Sequence, residues 1–312
     1  TLQGILVVGI SFLATALCVG KSQYGFALFI EPLEASFDWS RTEISASLSF
    51  AAVSGLAAPF LGRAMDRYGA RPILVGSLVL TALSLGLRPW MTELWHWYAL
   101  SFMQFIAFSG ATVLPMGKLV ATWFARTRGR AMGIAAMGNN FGGLTIPPLV
   151  TAVLAMATWR EGFLVVAGVA VVLAVLAFVL VREAPAAGQG GTGQTNAATS
   201  AALDANRGFS VAQALRVRTF YALLLGIMLG SFTYSTMLPH IFAHLVTFGV
   251  TAKTASISLS TLALGGIVGK LVFGYLAERI GAQAAAVVNL SGQALFATIL
   301  ALTESPSSLV ML

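Results

Sequence analysis

Two stretches decide how this chain folds: "GRAMDRYGAR" at residues 62–71 and "GYLAERIGAQ" at residues 274–283. Gly62 aligns with Gly274, Asp66 with Glu278, Arg67 with Arg279 and Gly69 with Gly281. Each is a small charged turn in a chain that is 57% hydrophobic and only 9% charged. The same feature at matching places implies two related halves, a plan common among membrane proteins that move solutes. The glycines permit a tight turn and close helix approach. The acid is placed to pair with arginine or to cap a neighbouring helix N-terminus.

Outward from these turns the sequence is apolar. Mean hydropathy is +0.85, and the charged fraction is far below the roughly one quarter usual in soluble domains. Spans are expected at 4–30, 42–61, 72–91, 95–123, 130–157, 161–181, 219–246, 253–275 and 284–302, with a tenth starting near Ser307. A bilayer core needs about 20 apolar residues per helix. Helices satisfy their own backbone there, and the alternation of a barrel is missing. The fold class is therefore all-α and polytopic.

Charge sets the expected orientation. Arg63, Arg67, Arg71, Arg126, Arg128, Arg130, Arg182, Arg207, Arg216, Arg218 and Arg279 fall in loops on one side. Arg41, Arg88, Arg160 and Lys253 fall on the other. Eleven against four places the N-terminus and the charged turns in the cytoplasm. Basic residues confined to short loops argue against nucleic acid as the partner. The lone Cys18 lies inside the first span, which excludes an intrachain disulfide and a cysteine metal cluster. With no basic residue before it, the first span does not read as a cleaved signal peptide.

Residues 184–208 are Gly-, Ala- and Thr-rich and read as a cytoplasmic linker. They divide the chain into a six-helix bundle at 1–183 and a partial helix bundle at 209–312. Ser210 reads as the N-cap of a short helix before span seven.

At this point a resemblance becomes visible. "GRAMDRYGAR" resembles the loop motif G-x-L-x-D-R-x-G-R-[RK] of the major facilitator superfamily, with Ala64 and Ala70 departing from it. "WFARTRGRAMGIAAMG" at 123–138 resembles the fifth-helix signature of monocarboxylate-type transporters through Trp123, Phe124, Arg126, Arg128, Ala131, Gly133, Ala135 and Gly138. "FDWSRTEIS" at 37–45 is similar to the segment before the second helix in bacterial members, oxalate–formate-type antiporters included. The resemblance implies a major facilitator fold of two six-helix bundles, the second incomplete here. The repeated charged turns read as a latch that holds one half against the other on the cytoplasmic side, with Gly62, Asp66, Arg67, Gly69, Arg71, Arg130, Gly274, Glu278 and Arg279 as the expected gating residues, although Thr127, Arg130 and Met137 depart from the fifth-helix signature.

Intramembrane charge points to the substrate. Three lysines compete. Lys21 lies near mid-depth of its expected span, whereas Lys118 and Lys270 lie five residues from expected span ends, within snorkelling reach. Lys270 falls where monocarboxylate-type transporters often carry a helix-eight arginine, although the acid that accompanies it there would align with Gly266. Tyr24, three residues after Lys21, is expected on the same helical face. Gln104, Asn139, Asn140 and Tyr234 add mid-depth hydrogen-bonding groups, which also serve helix–helix packing. His240 and His244, at i and i+4, read either as exposed vestibule histidines or as a proton-sensing pair at the outer mouth; without a third ligand they are not read as a metal site. Pro115, Pro147 and Pro148 are expected to interrupt spans four and five. No carboxylate lies in the interior of any span.

The expected function is secondary transport of small organic anions, monocarboxylates or short dicarboxylates, by alternating access with proton symport or anion exchange. No cofactor or enzymatic constellation is expected. The partners are the anion, protons and the lipid bilayer, with the protein acting as a monomer in a bacterial inner membrane. The competing readings are a multidrug or sugar exporter on the same fold, and a non-transporting sensor.

Overall fold

The protein is described here from a computed structural model, which covers residues 2–124, 127–182, 211–247 and 252–302; of 211–212, 233–247, 252–260 and 300–301 only the backbone is described. The described residues are nearly all helical, and all regular structure among them is helix. The helices are α1 (Leu2–Val19), α2 (Ile30–Phe37), α3 (Arg41–Ala46), α4 (Ala51–Tyr68), α5 (Ala70–Gly86), α6 (Leu94–Ala111), α7 (Val113–Trp123), α8 (Arg128–Met156), α9 (Trp159–Leu180), α10 (Val211–Ala214), α11 (Arg218–Thr247), α12 (Ala252–Ile280) and α13 (Ala282–Leu302). The expected linker and Ser210 lie outside the described residues.

By contact the chain forms two units, Thr1–Ala184 with Ala252–Ala286, and Pro185–Thr251 with Val287–Leu312. In the first, α8 runs through the middle, with α1 along one side and α12 along another, while α5 packs on α6 and α9. Small residues make these contacts possible. A side chain at Gly138 would strike the backbone of Phe12, and one at Gly142 that of Ala16. Backbones this close are typical of membrane packing, where dispersion replaces the hydrophobic drive. In the second unit, Gly226 and Gly230 of α11 both face Leu290 of α13.

Among the described residues, seven helices are long and apolar enough to cross a membrane. Sequence reading placed nine. Helix α8, 29 residues long, is less apolar than these, since Asn139, Asn140, Pro147, Pro148 and its glycines lower its hydropathy. In α11 the described apolar stretch, Arg218–Phe232, is shorter than these.

Three boundaries differ from expectation. The first span ends at Tyr24 rather than residue 30, and its last turn, Gly20–Tyr24, is a π-helix closed by the Gly25 N–H donating to the Gly20 carbonyl at 2.8 Å. The charged turns are mostly helix. Helix α4 continues to Tyr68 and α5 starts at Ala70; α12 continues to Ile280 and α13 starts at Ala282. Only Gly69 (φ 93°) and Gly281 (φ 87°) leave the helical path, both at positive φ, where a side chain is strained. Asp66 and Glu278 therefore sit in the last helical turn, not in a loop.

The third difference concerns proline. Helix α8 is continuous through Pro147 and Pro148, so span five is not interrupted. Span four does break, at Thr112 (φ −122°, ψ −104°), which leaves Pro115 in the first turn of α7; there its missing N–H is no loss.

Candidate functional site

The groups singled out by sequence fall into three clusters. The first surrounds Lys21. Its side chain is buried, 4% exposed, and Nζ has no hydrogen-bond partner among the described residues. The π-turn holds it there. Such one-turn insertions redirect the residues after them, so Tyr24 does not share the Lys21 face as an α-helix would require. Tyr24 instead packs its ring against Gly143 of α8.

Gln104 belongs to this cluster but does not stand open. Its Nε2 donates to Ser22 Oγ at 3.1 Å, and its Oε1 accepts from Arg88 Nη2 at 2.9 Å. Arg88 corrects the sequence reading, which put it in an outside loop. It follows α5 in a short 3₁₀ turn and is 3% exposed. It also donates to Ser101 Oγ at 3.3 Å. Its guanidinium lies 4.3 Å from the Trp97 ring centre and 4.9 Å from that of Phe163. Sequence reasoning missed it because the aromatic faces that receive it come from α6 and α9.

The second cluster joins α8 to α12. Helix α12 ends at Ile280, so Lys270 lies ten residues from that end, about 15 Å along the axis. It does not snorkel. Nζ donates to the Ala136 carbonyl at 2.8 Å and to Asn140 Oδ1 in a short hydrogen bond. Gly266 leaves the space that the Asn140 amide fills. The adjacent Asn139 has a buried Oδ1 without a partner among the described residues.

The third cluster is the pair of charged helix ends. Glu278 accepts the Arg130 backbone N–H at 2.9 Å and pairs with Arg130 Nε at 2.7 Å. Arg130 and Arg279 each lie 5.2 Å from the Tyr275 ring centre. A side chain at Gly274 would meet the Gly129 carbonyl at 2.9 Å. In the other copy, Asp66 pairs with Lys118 Nζ at 2.9 Å, and Lys118 also donates to the Met65 carbonyl at 2.9 Å. Arg67 lies against Tyr68, and Arg71 donates to the Phe178 carbonyl. Gly62 has open space beside it. The side chains of Tyr234, His240 and His244 lie outside the described residues.

The Major Facilitator Superfamily model matches residues 7–312. The chain belongs to the major facilitator superfamily. Its fold agrees: the solved proton:xylose symporter XylE, with 6-bromo-6-deoxy-D-glucose bound, superposes with a TM-score of 0.62 at 15% identity, over 89% of this chain and 69% of that one. Monocarboxylate transporter 13 of Bos taurus is 27% identical over 99% of this chain and 70% of its own length. The glycerol-3-phosphate transporter of Bacillus subtilis is 30% identical over 53% of this chain and 38% of its own, and the fujikurins efflux protein of Gibberella fujikuroi 33% over 39% and 26%. This major facilitator protein is a multi-pass membrane transporter, not an enzyme, and its substrate is a small molecule.

Proposed function

We propose that this major facilitator protein is a secondary active transporter of small organic anions, monocarboxylates or short dicarboxylates, working by alternating access. One observation carries the reading: Lys21 is buried, sits on a π-turn, and has no partner for its ammonium among the described residues. Inside a membrane protein a lone ammonium is costly, and its natural counterion is the cargo. Similarity to a monocarboxylate transporter and to a glycerol-3-phosphate transporter supports an anionic cargo. Lys270, Asn139, Asn140, Gln104 and Tyr24 are proposed to complete the site.

The two charged helix ends are the gate. With eleven arginines at or near the helix ends and connections on their side, they face the cytoplasm, as does the N-terminus. Closure there brings α8 and α12 together at Gly129, Gly133 and Gly274 and locks them through Glu278 and Arg130. The halves 1–183 and 209–312 move about the linker at 184–208. Coupling is by proton symport or anion exchange.

The test reconstitutes the full-length protein in proteoliposomes and follows labelled lactate, formate and oxalate beside a panel of fluorescent organic cations. Saturable uptake of a carboxylate, suppressed by the other two, is expected. Efflux of the cations with no response to any carboxylate contradicts the reading and favours an exporter. Carboxylate binding without flux favours a sensor.

A further inference from the structure

Among the described residues of the first unit, two buried cations, not one, stand without a counter-charge. Among the described residues the ion pairs are Arg41–Glu34, Lys118–Asp66 and Arg130–Glu278. None involves Lys21 or Arg88. Arg88 is 3% exposed and Lys21 4%, and both Arg88 Nε and Lys21 Nζ lack a hydrogen-bond partner among the described residues.

The surroundings hold Arg88 in place without neutralising it. Trp97 and Phe163, each 1% exposed, present ring faces to the guanidinium. That offsets part of the desolvation but adds no negative charge. Gln104 is committed at both ends, to Arg88 and to Ser22, the residue after Lys21. It thereby ties the Arg88 turn to the π-turn that carries Lys21. What remains uncommitted is donor capacity on two cations, a guanidinium N–H and an ammonium. Carboxylate oxygens are acceptors only and match both. Two buried positive charges are balanced by two negative ones, and a like-charged pair left empty is the costly state.

We propose that Arg88 is the second cation of the substrate site, and that the Lys21–Arg88 pair selects a dianion, a short dicarboxylate, over a monoanion. The proposal rests on the reading of Lys21 as the anion anchor. Lys21 supplies the charge that any carboxylate needs, and Arg88 supplies the charge that only a second carboxylate uses. Gln104 and Ser101 are positioning residues that fix the guanidinium.

The experiment compares labelled oxalate and labelled formate in proteoliposomes of the full-length protein, for wild type, Arg88→Gln, Arg88→Lys and Lys21→Met. Wild type is expected to take up oxalate with a KM at least about tenfold below that for formate. Arg88→Gln is expected to raise the oxalate KM about ten- to hundredfold, the loss of one charged hydrogen-bonding partner, with formate little changed. Arg88→Lys recovers part of the oxalate preference. Lys21→Met impairs both substrates. Should Arg88→Gln fail to fold, wild type alone decides: in detergent, oxalate raises its Tm more than formate at equal concentration. The proposal is overturned if wild type treats the two anions alike in uptake and in Tm, or if Arg88→Gln shifts both KM values equally or neither. Oxalate and formate uptake that both depend on Lys21 but not on Arg88 leaves the anchor standing and removes only Arg88. Formate and oxalate uptake both indifferent to Lys21 removes the anchor and this proposal with it.

Discussion

The Glu278 carboxylate reaches across from α12 to the first turn of α8, where one oxygen takes the Arg130 backbone N–H at 2.9 Å and the other the Arg130 Nε at 2.7 Å. A carboxylate at a helix N-terminus satisfies an otherwise unpaired donor and complements the helix dipole. Glu278 is therefore both a cap and an ion pair, and it joins two helices at one point. Replacing it by alanine is expected to cost about 0.5–2 kcal/mol, the usual loss for a removed cap. Hydrogen exchange at the Arg130 amide reads this directly, and faster exchange in Glu278→Ala is the expected result.

The contact between α8 and α12 depends on bare backbone. A side chain at Gly133 would stand 2.7 Å from the Lys270 carbonyl, closer than van der Waals contact allows. Gly133→Val is expected to separate the two helices and to abolish uptake. Gly265→Ala in α12, where nothing lies within 4 Å, is the matched control. It is expected to leave uptake intact and to keep or slightly raise stability, since alanine favours helix over glycine by about 1 kcal/mol. Equal effects of the two substitutions on uptake would remove the steric explanation.

Trp97 ties three elements together. It is 1% exposed, donates Nε1 to the Ile44 carbonyl at 3.1 Å and receives the Arg88 guanidinium on its face. Trp97→Ala is expected to cost about 3–5 kcal/mol through cavity formation. Trp97→Phe keeps an aromatic face for Arg88 and is expected to lose about 1 kcal/mol, the hydrogen bond alone. Thermal unfolding in detergent ranks the two, and a larger loss for Trp97→Phe would contradict this ordering.

The Asp66–Lys118 pair has side chains 80% and 37% exposed. Exposed pairs contribute about 0–1 kcal/mol. Asp66→Asn is expected to leave Tm nearly unchanged while lowering uptake, which separates a gating role from a structural one. Uptake equal to wild type would take Asp66 out of the gate.

Much of the plan was legible because the decisive features are local. A glycine, an acid and an arginine at fixed spacing announced the turns, and both glycines adopt positive φ. The cap that Glu278 makes was written in the choice of an acid there. Lys270 was placed too shallow because Glu278 and Arg279 read as loop, whereas they form the last turn of α12. Arg88 was misread for a different reason. It follows a span and precedes Pro89 and Trp90, which is how an outer-loop arginine looks, and a loop count follows chain position rather than side-chain direction. Its aromatic partners lie in two other elements, so nothing local announced its burial. The π-turn is equally silent, since "GKSQY" carries no residue that demands an extra member in the turn.

One measurement bears most directly on the anion-carrier account: initial-rate uptake of labelled lactate, formate and oxalate by proteoliposomes of wild type and of Lys21→Met, with equal amounts of folded protein verified by Tm. The account predicts saturable uptake by wild type and a loss of about tenfold or more for each transported anion in Lys21→Met, as expected when a charged hydrogen-bonding partner is removed. Unchanged transport of every anion by Lys21→Met would contradict it.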